Sequence, residues 1–427
     1  MSSEDADMKR LDNARILMYS HDTFGLGHLR RCRTIAHALV DQFKGLNVLI
    51  VSGSPIAGAF DFKARVDFVK VPSVIKLHNG EYTSLDEHID LEETLTMRKS
   101  IIRLTAETFK PDIFIVDKEP LGLHGELEET LLYLKEVDCT LVVGMRDVMD
   151  SPRFLKAEWD RREIVPKLDA IFDDIWVYGP PSFWNPLTGL NVPESLAEKI
   201  TYTGYLERAL PADEAAALHP LPENYILVTA GGGGDGFDLM NAVLAAYELD
   251  NERGRSGLTD AVLVLGPFIP KSERETIVHR AEALGKVSLI DFDNRIEYII
   301  SRADGIVGMG GYNTFCEILS FDKRALIVPR TLPREEQLIR AKRAEELGVV
   351  DMLLPEASED PKKLIDALLA LPKRKKPSEI DCDLPLDGLS KIGKIIEKHL
   401  EKPSAPELRV VRGECKPVHE WQSIICS

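Results

Sequence analysis

The sequence predicts an α/β protein built from two doubly wound, Rossmann-like domains facing across a cleft. Short apolar runs alternate with longer helix-periodic stretches through both halves of the chain, the signature of βα units and parallel sheets. A glycine-bearing turn follows the first strand of each half. The length, 427 residues, also exceeds what one hydrophobic core serves, about 250 to 300 residues.

In the first half the strands fall at 16–20, 47–52, 113–117, 140–144, 175–178 and 200–203. The stretch YLERALPADEAAALHPLPEN is acidic, rich in Ala and Pro and poor in apolar periodicity, so it reads as the link between domains. A second series occupies 225–229, 261–265, 287–291, 305–307, 325–328 and 349–353. These elements divide the chain into a tail (1–13), an N-terminal domain (14–208), a linker (209–222), a C-terminal domain (223–385), one more amphipathic helix (386–402) and a second tail (403–427).

Lys and Arg number 53 against 70 Asp and Glu, a net charge of −17. That charge opposes nonspecific attraction to nucleic acid, and no nucleic-acid partner is expected. The six cysteines are scattered without a CxxC pair and read as reduced thiols of a cytoplasmic protein. No run of about 18 apolar residues occurs, which leaves peripheral contact with the inner face of a membrane as the open alternative.

Three glycine turns carry the chemistry. They are Gly25-Leu26-Gly27-His28, the run TAGGGGDGFD holding Gly231, Gly232 and Gly233, and VGMGGYNTFCEIL holding Gly310 and Gly311. Each follows a strand and opens a helix, where unpaired backbone N–H groups and the helix dipole favour an anion such as phosphate. None is a GxxxxGK[ST] loop or a clean GxGxxG. Three of them in one chain point to a nucleoside diphosphate.

Glu317 lies three residues after Thr314, on the same helix face. Its carboxylate there suits a ribose diol, and the competing reading of the pair is a capping box. His28 has an ordinary pKa of about 6.5 and suits proton removal from a hydroxyl or water; the competing reading is a histidine satisfied by backbone. Asp117, Arg146 and Asp147 fall at strand carboxyl ends, placed to bind an acceptor, orient His28 or cap a helix. The DxD triplets at 291–293 and 381–383 read as helix cap and Pro-rich loop, so no metal site is expected.

Together these turns resemble GT-B fold glycosyltransferases of the family 28 type, over roughly residues 14–370 and most specifically over 291–350. The resemblance implies that Glu317 holds the ribose and that Gly310, Gly311 and Thr314 face the diphosphate. It also puts Phe292 at the base, Gln337 at the sugar or phosphate, and the turn of Gly231, Gly232 and Gly233 beside the donor phosphates. The family commonly has Ser-Gly where this chain has Gly310-Gly311, and Glu336 replaces one glutamine of its usual pair.

The opening turn, Gly25-x-Gly27-His28-x-x-Arg31-Cys32-x-x-Ile35-Ala36, also resembles the UDP-sugar hydrolases of pseudaminic acid biosynthesis, likewise GT-B in fold. The resemblances imply hexosyl transfer with inversion from a UDP-linked donor, such as a UDP-GlcNAc-like sugar, to a hydroxyl acceptor. That acceptor would be a glycan, a lipid-linked molecule or a small molecule. His28 and Asp117 would be catalytic, Gly25, Gly27, Arg146 and Asp147 would lie on the acceptor side, and neither metal nor cofactor would be needed. The alternative is a hydrolase or epimerase in which His28 activates water. A nucleotide-sugar binding protein without catalysis is the third reading.

Overall fold

The computed structural model describes residues 9–11, 13–21, 26–76, 82–84, 89–210, 219–254 and 257–401. Gly25, most of the linker, most of the N-terminal tail and the whole C-terminal tail lie outside them.

The N-terminal sheet contains β1 (Arg15–Ser20), β2 (Asn47–Ser52), β3 (Val66–Lys70), β4 (Ile113–Asp117), β5 (Thr140–Arg146), β6 (Asp174–Tyr178) and β7 (Ile200–Tyr202). All pairs are parallel, in the order β7-β6-β5-β4-β1-β2-β3. The central strands are apolar throughout because both faces are covered: Ile16, Leu17, Met18 and Tyr19 are all fully buried. Strand β3 was not anticipated. Its sequence VDFVK carries an Asp and a terminal Lys on a half-exposed sheet edge, where apolar content is a weak signal.

The C-terminal sheet contains β8 (Tyr225–Thr229), β9 (Asp260–Val264), β10 (Val287–Ile290), β11 (Gly305–Gly308), β12 (Arg324–Ile327) and β13 (Asp351–Met352), in the order β10-β9-β8-β11-β12-β13. Both sheets reverse strand order beside their first strand, between β1 and β4 and between β8 and β11. Open α/β sheets bind ligands at that reversal, beyond the strand carboxyl ends.

All three glycine turns lead into the switch-point helices: α1 (Gly27–Gln42), α2 (Phe237–Glu252) and α3 (Tyr312–Ser320). A fourth helix, α4 (Glu336–Glu346), returns to the cleft after β12. The last, α5 (Gly388–Leu400), is not a separate unit. It packs on the N-terminal domain: the Gly388 N–H donates to Tyr205 O (3.1 Å), Gln42 Nε2 donates to Leu389 O (3.5 Å), and His399 pairs with Asp174 at 2.6 Å. Ile392 and Ile396 are fully buried. The front of the anticipated link is likewise structural, since Tyr205 and Leu206 are buried and Arg208 bridges the domains.

Candidate active site

His28 stands in the first turn of α1, where the N-cap residue Leu26 makes no side-chain cap bond. Its Nδ1 lies 2.5 Å from Asp117 Oδ2, at the end of β4. Arg31, one turn further along α1, donates from Nε to Asp117 Oδ1 (2.7 Å) and from Nη2 to Oδ2 (2.5 Å). Burial alone would raise the Asp117 carboxyl, yet Arg31 and His28 hold it well below the usual carboxylate range. The ionised carboxylate only accepts, so Nδ1 carries the proton and Nε2 keeps its lone pair. Burial pushes the imidazole below its ordinary value against the pull of Asp117, which keeps it neutral near pH 7.

A second histidine, His21, packs edge-on to His28 with ring centroids 5.6 Å apart. Behind it, the Tyr19 hydroxyl donates to Glu126, which Arg98 grips from Nε and Nη2 at 2.7 Å each. The chain 22–25 hides this neighbour from local motif reading.

Across the cleft, β11 leads into a turn in which Gly310 has φ 75° and a Cβ would come within 2.8 Å of Ile327 Cγ2. Gly311 is the N-cap of α3 and a Cβ there would meet nothing within 4 Å, so a ligand has room against the open amides. Thr314 lies inside α3, whose cap carries no side-chain bond; the capping-box reading of Thr314 and Glu317 is therefore replaced by two intrahelical residues.

Gly231 (φ 68°) also faces open space, whereas Gly233 (φ 87°) is needed for packing: a Cβ would sit 2.2 Å from Leu265 O. Gly232 closes this contact by accepting the Phe268 N–H at 3.0 Å. Gly27 needs neither freedom, since its φ is not positive and a Cβ would lie 3.8 Å from Asn313 Nδ2. Its carbonyl instead accepts Asn313 Nδ2–H (3.1 Å) from the other domain.

Several predicted contacts take other partners. Glu317 is buried, and its Oε1 accepts from Arg30 Nη2 at 2.5 Å; the same nitrogen donates to Glu297 at 3.1 Å. Burial pushes the Glu317 carboxyl up despite Arg30. Asp147 was expected to face an acceptor, but it is 1% exposed and holds Arg340, accepting from Nε (3.0 Å) and Nη2 (2.7 Å), while Tyr205 donates to it at 3.1 Å. Gln337 uses Oε1 to accept the Arg330 N–H (3.0 Å). Phe292 packs edge-on against Phe60 of the N-terminal domain, centroids 5.9 Å apart. Asp291 accepts from Arg274 Nε and Nη2 (2.7 and 2.8 Å) and Asp293 accepts the Arg295 N–H.

Arg146 remains in the cleft, with Nη1 4.0 Å from Glu336 Oε1. Arg330 binds the same Glu336 oxygen at 2.8 Å and reaches Asp235 of the glycine run at 2.5 Å. The four-glycine turn, the start of α4 and the end of β5 therefore meet around one space.

Two Rossmann-like sheets of matching strand order, opposed across a cleft lined by the His28–Asp117 pair and open glycine amides, form the GT-B architecture. Residues 225–380 match the glycosyltransferase family 28 C-terminal domain, and the chain is a glycosyltransferase. An uncharacterized glycosyltransferase of Methanosarcina mazei is 25% identical over 408 residues, 88% of this chain and 97% of that protein. Among solved structures, MurG of Acinetobacter baumannii shares the fold at TM-score 0.52 and 13% identity, over 90% of this chain and 99% of that one. A presumptive UDP-N-acetylglucosamine 2-epimerase of Listeria monocytogenes does so at TM-score 0.59 and 14% identity, over 94% and 99%. No helix among the described residues is long and apolar enough to cross a membrane.

Proposed function

We propose that this glycosyltransferase moves a hexose from a UDP-linked donor to a hydroxyl of a glycan, lipid-linked or small-molecule acceptor, with inversion at the transferred carbon. The observation that carries the reading is the His28–Asp117 contact of 2.5 Å, which leaves His28 Nε2 bare beside the cleft. From that position Nε2 removes the acceptor proton as the hydroxyl oxygen bonds to the sugar carbon and the carbon–oxygen bond to the diphosphate breaks. The proton stays on the imidazole, whose positive charge Asp117 offsets.

The leaving diphosphate gathers negative charge as that bond breaks. The open amides at Gly310 and Gly311, at the positive end of α3, are suited to it, and no metal or other cofactor enters this scheme. Glu317 would take the ribose once Arg30 withdraws.

The test is to incubate the purified protein with UDP, dTDP and GDP sugars without acceptor and follow nucleoside diphosphate release beside His28→Ala. Binding of a UDP sugar with slow release supports transfer. Rapid release that depends on His28 supports the second reading, hydrolysis or epimerisation, which the same bare Nε2 would serve by activating water. Absence of donor binding overturns both.

A further inference from the structure

Lys118 follows the dyad residue Asp117 directly, and Arg146 ends the neighbouring strand. Asp117 pairs in register with Gly144, and the Lys118 N–H donates to Gly144 O at 2.7 Å, so the two cations leave adjacent strands at the same edge of the sheet. Both side chains are largely buried, at 12% and 13% exposed.

Neither has a carboxylate of its own. Glu119 lies 3.4 Å from Lys118 and is shared with Arg162 at 3.4 Å. Glu336, at 4.0 Å from Arg146, is taken more closely by Arg330. Arg146 has five N–H donors but makes one hydrogen bond among the described residues, from Nη2 to Met149 O at 3.4 Å, and its buried Nε has no partner. A buried guanidinium left this open costs free energy unless something else fills it.

The backbone adds an independent sign. Lys118 holds φ at 70°, a left-handed conformation that costs a non-glycine residue about 1 kcal/mol or more and gathers at functional positions. A glycine would adopt it without that cost.

We infer that Lys118 and Arg146 form a binding site for an anionic group, a phosphate or a carboxylate, carried either by the acceptor or by the transferred sugar. This rests on the glycosyltransferase reading for its place beside His28, but its chemistry comes from the two cations. Their surroundings agree. Burial pushes Lys118 down to about 8 and Arg146 down to about 10, while Lys118 holds the Glu119 carboxyl well below the usual carboxylate range and Arg146 with Arg330 brings Glu336 to about 2. The two carboxylate shifts describe a positive field inside a chain whose net charge is −17. A guanidinium and an ammonium at one sheet edge, close enough for Arg146 to act on Lys118, match the acceptor-only oxygens of a phosphate or carboxylate.

The experiment is calorimetric titration of inorganic phosphate into the full chain saturated with UDP, comparing the native protein with Lys118→Gly and Arg146→Met. Lys118→Gly relieves the left-handed backbone, so it should melt no lower than the native protein while binding phosphate at least tenfold more weakly. Arg146→Met should show a similar loss, and Arg146→Lys should recover part of it. Equal phosphate binding in all variants, or none in the native protein, overturns the site. Failure to bind UDP counts against the donor reading instead, and phosphate is then titrated into the unsaturated protein with the same variants. A second arm compares UDP-glucuronate with UDP-glucose. A preference of tenfold or more for the uronate that disappears in Arg146→Met assigns the anion to the transferred sugar, and equal affinity assigns it to the acceptor.

Discussion

Arg30 of the first domain and Glu317 of the second are joined by a 2.5 Å ion pair, and Glu317 is buried beneath it. If Glu317 receives the ribose, the nucleotide and Arg30 compete for one carboxylate. Arg30→Gln should therefore tighten UDP binding by roughly tenfold, about 1.4 kcal/mol, and Glu317→Gln should weaken it. Calorimetry with UDP reads both, and weaker binding in Arg30→Gln would mean that the guanidinium holds the nucleotide rather than excluding it.

Loss of His28 should lower turnover by about a hundredfold to ten-thousandfold while UDP affinity is kept. Asp117→Asn should act mainly on kcat, because the amide no longer offsets the charge forming on the imidazole. Since the His28 pKa is lowered, the acid limb of kcat/KM should lie below pH 6.5. Initial rates from pH 4.5 to 8 with a competent donor and acceptor test this, and an inflection above pH 6.5 would contradict the assignment.

Burial also lowers His21 and so adds to the effect of His28 on stability. Below pH 6.5 the unfolded chain takes up protons that the folded histidines refuse, so folding stability should fall with pH from there. Urea unfolding between pH 7.5 and 5 should show the decline, and His21→Gln should reduce its slope.

The Arg340–Asp147 pair joins the domains with both side chains 1% exposed. Arg340→Met strands a buried carboxylate and should cost about 3–5 kcal/mol. The double variant Arg340→Met with Asp147→Leu should recover much of that loss. Chemical denaturation of the single and double variants distinguishes this anchor from an acceptor ligand, whose loss would leave stability unchanged.

Most of this architecture was legible in the sequence because apolar runs of both sheets are buried on two faces and bounded by turns. The placing of His28 in the turn after a strand, of Asp117 at a strand end, and of Gly310 and Gly311 at a helix opening also rests on local patterns. What stayed hidden depends on contacts remote in sequence. Nothing near Arg30 announces Glu317, and nothing near Asp147 announces Arg340; an acidic residue at a strand end looks the same whether it meets substrate or a distant guanidinium. Lys118 was invisible for another reason, since its left-handed backbone leaves no trace in residue type.

The return of α5 to the N-terminal domain makes that domain discontinuous along the chain. Ile392 and Ile396 complete a core whose first strand begins at Arg15. During synthesis the first domain therefore emerges from the ribosome unfinished and stays so while the whole second domain is made. A chain terminated before residue 388 would lack the helix that covers α1, and its N-terminal half should be handled in the cell as an incomplete protein even with every cleft residue present.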